Sequence, residues 1–205
     1  MKIRITLLAL LLSVTMSMAK SFDNFSVGIM SGLSFNMLSG LPSDFDEGRG
    51  AGTSLIAARF AIPISSSYSP NGYSLTFVPE IAFDVNEYTV KFKYLDQDAE
   101  EELTLGSLRL GMLFDVFFDN HMFLTLGPDV KLTSFDERVT IADEEFKPKS
   151  NPSSQMLVDG TIGFGYKFQR IDFGIRYSIG IMEIFKNTGF HEHIFQGYIT
   201  YWFMQ

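Results

Sequence analysis

Eight stretches of the chain alternate apolar and polar residues with a period of two, and they cover most of its length from Phe25 to Phe203. Successive side chains of a strand point to opposite faces, so this pattern predicts strands with one apolar and one polar side. The first stretch sets Phe25, Val27, Ile29, Leu33, Phe35 and Met37 on one face and Ser26, Gly28, Ser34 and Asn36 on the other. The second, 53–64, sets Ile56, Ala58, Phe60, Ile62 and Ile64 against Thr53, Ala57 and Arg59. In the third, 73–85, Leu75, Phe77, Pro79, Ile81, Phe83 and Val85 oppose Thr76, Glu80, Ala82 and Asp84. The fourth opposes Leu108, Leu110, Met112, Phe114 and Val116 to Ser107, Arg109, Gly111 and Asp115. The fifth opposes Leu124, Leu126, Val130 and Leu132 to Thr125, Gly127, Asp129 and Lys131. In the sixth, Val158, Ile162, Phe164, Tyr166 and Phe168 stand against Asp159, Thr161, Gly163, Gly165 and Lys167. The seventh sets Ile171, Phe173, Ile175, Tyr177, Ile179 and Ile181 against Asp172, Gly174, Arg176, Ser178 and Gly180. The eighth, 193–203, carries Phe195, Ile199, Tyr201 and Phe203 on its apolar face. Pro79 and Pro128 fall inside stretches, where a missing N–H predicts a local bulge or a place near a rim.

The connectors alternate as well. Short ones fall at 65–72, 119–121 and 169–170, and longer charged ones at 38–52, 86–102, 134–155 and 183–192. Such alternation is what an up-and-down transmembrane barrel with short periplasmic turns and long extracellular loops requires. The segments 88–95 and 138–141 also alternate, so strands three to six extend beyond a bilayer.

Upstream, Lys2 and Arg4 precede an apolar run from Ile5 to Val14, and Ser17-Met18-Ala19 ends in small residues. This is the layout of an export signal, expected to be cleaved after Ala19. Residues 1–19 are thus read as signal and 20–205 as one barrel domain. No second apolar run approaches the about 20 residues of a membrane-spanning helix. The chain has no cysteine, which removes disulfides and a lipid attachment site at the signal's end. A formal net charge of −8 argues against nucleic acid as a partner.

Period two cannot by itself say which face is outside, since soluble and membrane barrels both show it. The polar faces are rich in Gly, Ser and Thr, which suit a narrow lumen better than a solvated surface. The apolar faces stay bulky along whole strands, with Tyr166, Phe168, Tyr177, Tyr201 and Phe203 placed as interfacial girdles. A membrane barrel is therefore expected, with a soluble lipocalin-like carrier as the alternative.

Four segments resemble the PorT-like outer-membrane β-barrel domain family of Bacteroidetes and related bacteria. They are Val27-Gly28-Ile29-Met30-Ser31-Gly32-Leu33-Ser34-Phe35, Phe77-Val78-Pro79-Glu80-Ile81, Leu126-Gly127-Pro128 and Gly174-Ile175-Arg176-Tyr177-Ser178-Ile179-Gly180. The resemblance spans essentially the whole mature chain and implies a small all-β, eight-stranded antiparallel barrel in the outer membrane. Some members work with protein secretion, and nothing in this sequence places it among them.

In such a barrel the lumen collects Glu80, Asp84, Asp115, Asp129, Asp159 and Asp172 with Arg59, Arg109, Lys131, Lys167 and Arg176. Confined charges must pair or be solvated. An eight-stranded barrel is just wide enough for side chains to fill it. The expectation is an internal ion-pair network, with Glu80 paired to Arg59 or Arg109, rather than a pore lined by charge of one sign.

Catalysis by an envelope-lipid enzyme would need a nucleophile, a base and an orienting acid. Only His121, His191 and His193 are available as bases. His121 falls in a short turn, while His191 and His193 flank Glu192 on an external loop. They would point the same way, as a metal pair could, but no third ligand is evident. No enzyme activity, cofactor or metal is expected.

The external segments carry Asp44, Asp46, Glu47, Asp96, Asp98, Glu100, Glu101, Glu102, Asp136, Asp143, Glu144 and Glu145. These keep the loops solvated, or they bridge through divalent cations to lipopolysaccharide, or they dock an envelope or extracellular protein. The expected partners are membrane lipid, lipopolysaccharide and, during insertion, the outer-membrane assembly machinery. A monomer with a structural or interaction role is expected, and a narrow pore is the next reading.

Overall fold

The computed structural model of the chain describes residues 25–40, 45–65, 73–94, 97–118, 121–141, 144–146, 155–184 and 190–204. The signal expected over 1–19 lies outside them, as do Asp44, Asp96 and Asp143 and most of the short connector 65–72.

The strands are β1 (Ser26–Ser39), β2 (Phe45–Ser65), β3 (Ser74–Tyr94), β4 (Gln97–Phe117), β5 (Met122–Ile141), β6 (Glu144–Phe146), β7 (Gln155–Phe168), β8 (Ile171–Gly180) and β9 (His191–Met204). Eight of them form a ring in the order β4-β3-β2-β1-β9-β8-β7-β5, and β5 bonds back to β4. Each neighbouring pair is antiparallel. Closure leaves no unpaired edge in the ring, the condition for strands to cross a bilayer. The three-residue β6 pairs only with the far end of β5 and stands outside the ring.

Burial decides the orientation that alternation left open. Leu33 is 73% and Ile175 68% exposed on the outer wall, while Arg59, Arg109 and Lys131 are 0% exposed inside. A soluble carrier needs the reverse, so the lipocalin-like alternative fails. An apolar outer wall around a polar interior is the arrangement a bilayer stabilises.

Strand lengths are unequal. β2, β3 and β4 have 21 residues and β5 has 20, against 14 in β1, β7 and β9 and 10 in β8. Crossing a bilayer takes about 9–11 residues. β2 to β5 therefore project well past the membrane on the side of the longer connectors. Much of the charged sequence at 38–52 and 86–102 is strand rather than loop, and only 95–96 separate β3 from β4. The reason is packing: Tyr88, Val90, Leu103 and Leu105 turn inward and join Leu38, Leu157 and Ile184 in one buried cluster.

The prolines interrupt hydrogen bonding without forming the expected bulges. Across Pro79 the β2–β3 register runs from Arg59↔Glu80 to Ile62↔Phe77 with no shift between them. Across Pro128 the β4–β5 register runs from Gly111↔Asp129 to Phe114↔Leu126, again in step. One lost N–H opens a gap in the ladder, and strong pairing on either side holds the register. Ile62, expected on the lipid face, is 3% exposed.

Candidate functional site

The lumen is where the charged residues converge. Inward positions of eight strands face one another across a space too narrow for water-filled bulk, so partners come from opposite walls as well as adjacent strands.

Glu80 on β3 is the hub. Arg176 on β8 donates to both its oxygens, Nη1 to Oε2 at 3.0 Å and Nη2 to Oε1 at 2.9 Å. This is the bidentate geometry that makes arginine–carboxylate pairs strong. Arg59 lies at 3.4 Å and Arg109 at 3.5 Å from the same carboxylate, and all four side chains are buried. Both pairs expected for Glu80 are present. The Arg176 pair joins distant strands across the ring, which adjacency along the chain does not reveal.

The bases are held in turn. Arg109 Nη1 reaches Asp84 at 3.2 Å, and Gln196 Oε1 accepts from Arg176 Nε at 2.6 Å. Arg59 donates to Thr200 at 3.1 Å, lies 3.6 Å from Asp115, and packs over the rings of Tyr198 and Trp202 at 5.4 and 5.8 Å. Those ring faces add cation–π attraction to the ion pairs. Asp115 accepts from Thr125 at 2.6 Å, Asp129 accepts from Thr161, and Asp172 accepts from the Trp202 indole at 2.7 Å.

A second charged group sits nearer the external end. Lys131 contacts Asp159 at 2.6 Å and is also paired with Glu192. Tyr88 donates to Glu192, and Asn86 Nδ2 donates to it at 3.2 Å. Sequence reasoning placed Glu192 in an external loop. It is instead the second residue of β9, faces inward and is 3% exposed. Carrying the alternation of Phe195 and Tyr201 two residues further back would have turned Glu192 inward. The same parity places Gln196, Tyr198, Thr200 and Trp202 in the lumen.

Lys167, grouped with the lumen charges, is only half-buried opposite Asp172 near the short β7–β8 turn. Among the described residues the fully buried charges are thus Glu80, Asp84, Asp115, Asp129, Asp159, Asp172 and Glu192 against Arg59, Arg109, Lys131 and Arg176.

Buried apolar clusters flank this network. Toward the external end lie Tyr88, Leu103, Leu105 and Ile184. Toward the other end Val78, Leu113 and Trp202 pack together with Ala61. Large inward rings fit only because facing positions lack side chains. A Cβ on Gly174 would collide with the Tyr198 ring, and one on Gly165 with Phe123. Gly174→Val is therefore expected to cost the barrel about 1–3 kcal/mol by overpacking. The check is the urea midpoint for refolded barrel in detergent, followed by gel mobility before boiling.

The histidines lie apart from the lumen. His121 is exposed and stacks on Tyr166 at 5.5 Å. His191 and His193 share the outward face of β9, as alternation about Glu192 dictates. His193 Nδ1 lies 2.5 Å from the Tyr177 hydroxyl and its Nε2 2.7 Å from Ser39 Oγ, while His191 Nδ1 lies 3.1 Å from the Gly180 carbonyl. Among the described residues no cluster of three metal-ligating side chains forms.

Three solved structures are similar in architecture. The attachment invasion locus protein Ail of Yersinia pestis is 10% identical, with 87% of this chain and 97% of that one covered and a TM-score of 0.46. Neisserial surface protein A is 12% identical, with 86% and 96% covered and a TM-score of 0.43. The outer membrane enzyme PagL is 9% identical, with 84% and 98% covered and a TM-score of 0.39. No relative is found among curated protein sequences. The pattern of the outer membrane protein beta-barrel domain matches residues 17–186, most of the chain. The ring, its inverted faces and this match lead to one conclusion: the chain belongs to the outer membrane protein β-barrel domain family and resides in the bacterial outer membrane.

Proposed function

We propose that this barrel is a closed, non-conducting platform that acts by binding, not by catalysis or transport. The observation that carries the reading is the filled lumen, where the buried Glu80–arginine network and the apolar clusters beside it occupy the space between the walls. A conducting path needs a continuous wet lining with binding weak enough to release its ion. Purified barrel in a planar bilayer is expected to stay silent at moderate voltage. Discrete, reproducible conductance steps would overturn the reading in favour of a narrow pore.

The working surface is the sheet that β2 to β5 raise above the bilayer. Its outward positions present Glu87, Lys91, Lys93, Glu102, Asp136 and Arg138, a mixed and solvated face. Asp46, Glu47, Asp98, Glu144 and Glu145 also fall on β2, β4 and β6, and their side chains lie outside the described ones. This face suits an envelope or extracellular protein partner recognised by charge, with lipid and lipopolysaccharide around the wall and the outer-membrane assembly machinery engaged during insertion. The barrel acts as a monomer, without cofactor, as a PorT-like member of its family. A photocrosslinker placed at Lys93 is expected to give a discrete adduct in intact cells that is lost when Glu100 and Glu102 are neutralised. An adduct pattern no different from that of a position on the lipid-facing wall would sink this part.

A further inference from the structure

Strand parity brings three hydrogen-bonding side chains together on the outer wall, at the end of the ring that carries the long connectors. Ser39 ends β1, His193 lies near the start of β9 and Tyr177 near the end of β8. All three face outward and are half-buried. His193 is on the middle strand of the three. In register it stands between Met37 and Ile179, so Ser39 and Tyr177 are its diagonal neighbours, each two residues along a flanking strand. Diagonal cross-strand neighbours lie about 7–8 Å apart, within reach of a ring side chain.

The imidazole closes both gaps. Its Nε2 lies 2.7 Å from Ser39 Oγ, and its Nδ1 lies 2.5 Å from the Tyr177 hydroxyl. Ser39 Oγ also lies 3.5 Å from the His191 carbonyl, so the imidazole is its nearer partner. With the ring proton on Nδ1, the Tyr177 oxygen accepts from it and Nε2 accepts from the Ser39 hydroxyl. A hydroxyl against a base whose other nitrogen is held by a third group is the arrangement that activates a serine oxygen as a nucleophile.

The surroundings indicate what that oxygen meets. Met37, Ile179 and Phe195, the outward neighbours of His193, are exposed and apolar. Among the described residues no Lys, Arg, Asp or Glu takes an outward position on β1, β8 or β9. This setting suits a neutral carbonyl carried on an apolar chain.

We propose that Ser39 is a covalent acceptor that takes one acyl group from a carboxylic ester of a membrane lipid, with His193 as its base. Ser39 Oγ bonds to the acyl carbonyl carbon while its proton passes to His193 Nε2. The bond from that carbon to the ester's alcohol oxygen breaks, and the departing oxygen takes the proton from His193. The products are an acyl-serine and an alcohol, with no change of oxidation state. The apolar wall keeps water from the new ester, so the group stays. One acylation per barrel is a modification and leaves the platform role as it stands.

The test incubates the full barrel, in an ester-free alkyl glycoside detergent, with p-nitrophenyl decanoate. Intact mass and peptide mapping read the adduct, and every variant is first checked for heat-modifiable migration. One decanoyl group on Ser39 is expected, with one equivalent of p-nitrophenol released. Ser39→Ala is expected to lose the adduct. His193→Phe is expected to slow acylation about 100-fold or more, the contribution of a positioned base, and free imidazole is expected to restore part of the rate. Tyr177→Phe tests a positioning residue and is expected to lower the maximal rate while the half-saturating ester concentration stays unchanged. His191→Phe, on the same face, is expected to match wild type. In phosphatidylglycerol vesicles without the probe, wild type is expected to gain one fatty acyl group on Ser39, and none would overturn the lipid as donor. No adduct on Ser39 from the probe would overturn the proposal as a whole. So would equal rates in wild type and folded His193→Phe, or steady release of p-nitrophenol beyond one equivalent, since the acyl-serine would then not persist.

Discussion

Glu80→Gln is expected to destabilise the folded barrel by about 3–5 kcal/mol, the cost of removing one partner from a buried ion pair. The side chain keeps its shape and loses its charge, while Arg59, Arg109 and Arg176 all remain buried around it. Two of these guanidiniums have other carboxylates, Asp115 and Asp84. Arg176 has only Glu80 as a described ionic partner and keeps the neutral Gln196. Its charge would be left with the greatest deficit. Trp202 is the only tryptophan of the chain and packs inside the lumen, so its fluorescence reports unfolding directly. Urea titration in detergent measures the difference. The control is Lys91→Ala, which breaks a 4.0 Å pair with Glu100 at 68% and 43% side-chain exposure and is expected to cost under about 1 kcal/mol. Equal midpoints for the two variants would mean that the lumen network contributes no more than a solvated pair.

One residue along β3, the expected effect reverses in kind. Ile81 lies on the outer wall, 46% exposed, beside Glu80 on β3. Ile81→Arg is expected to cost about 2–4 kcal/mol in lipid vesicles, the penalty for a cation at the midplane of a barrel's lipid face. In water the same substitution on a soluble barrel would be nearly neutral. The measurement is unfolding free energy in phospholipid vesicles beside that in detergent, where a mobile micelle rearranges around the charge and the penalty shrinks. A neutral result in vesicles would place the outer face of β3 away from lipid.

Much of this architecture is legible in the order of residues. Alternation located all eight ring strands, because strand geometry sends neighbouring side chains to opposite faces whatever the tertiary context. It placed Arg59, Glu80, Asp84, Arg109, Asp115, Asp129, Lys131, Asp159, Asp172 and Arg176 on one face, and all of them are buried in the lumen. It failed where a composition cue overrode parity. Glu192 between two histidines looked like loop, and 86–102 looked like a charged connector even though 88–95 within it alternates and is expected to extend strand three. Both are strand because inward neighbours, Ile194 in one case and Tyr88 and Val90 in the other, find apolar or hydrogen-bonding partners inside the ring.

What the chain order determined by itself was the number of ring strands, which residues share a face and the set of charges that must meet. These follow from local geometry and from the cost of leaving charge in an apolar setting. Only the closed ring decided which charges meet. Closure brings Arg176 on β8 to Glu80 on β3 and Lys131 on β5 to Glu192 on β9, with sequence separations of 96 and 61 residues. It also set Gly197 between Leu33 and Ile175, and Ser39 beside His193. Those neighbours come from strand register around the ring, which depends on the whole barrel being closed at once.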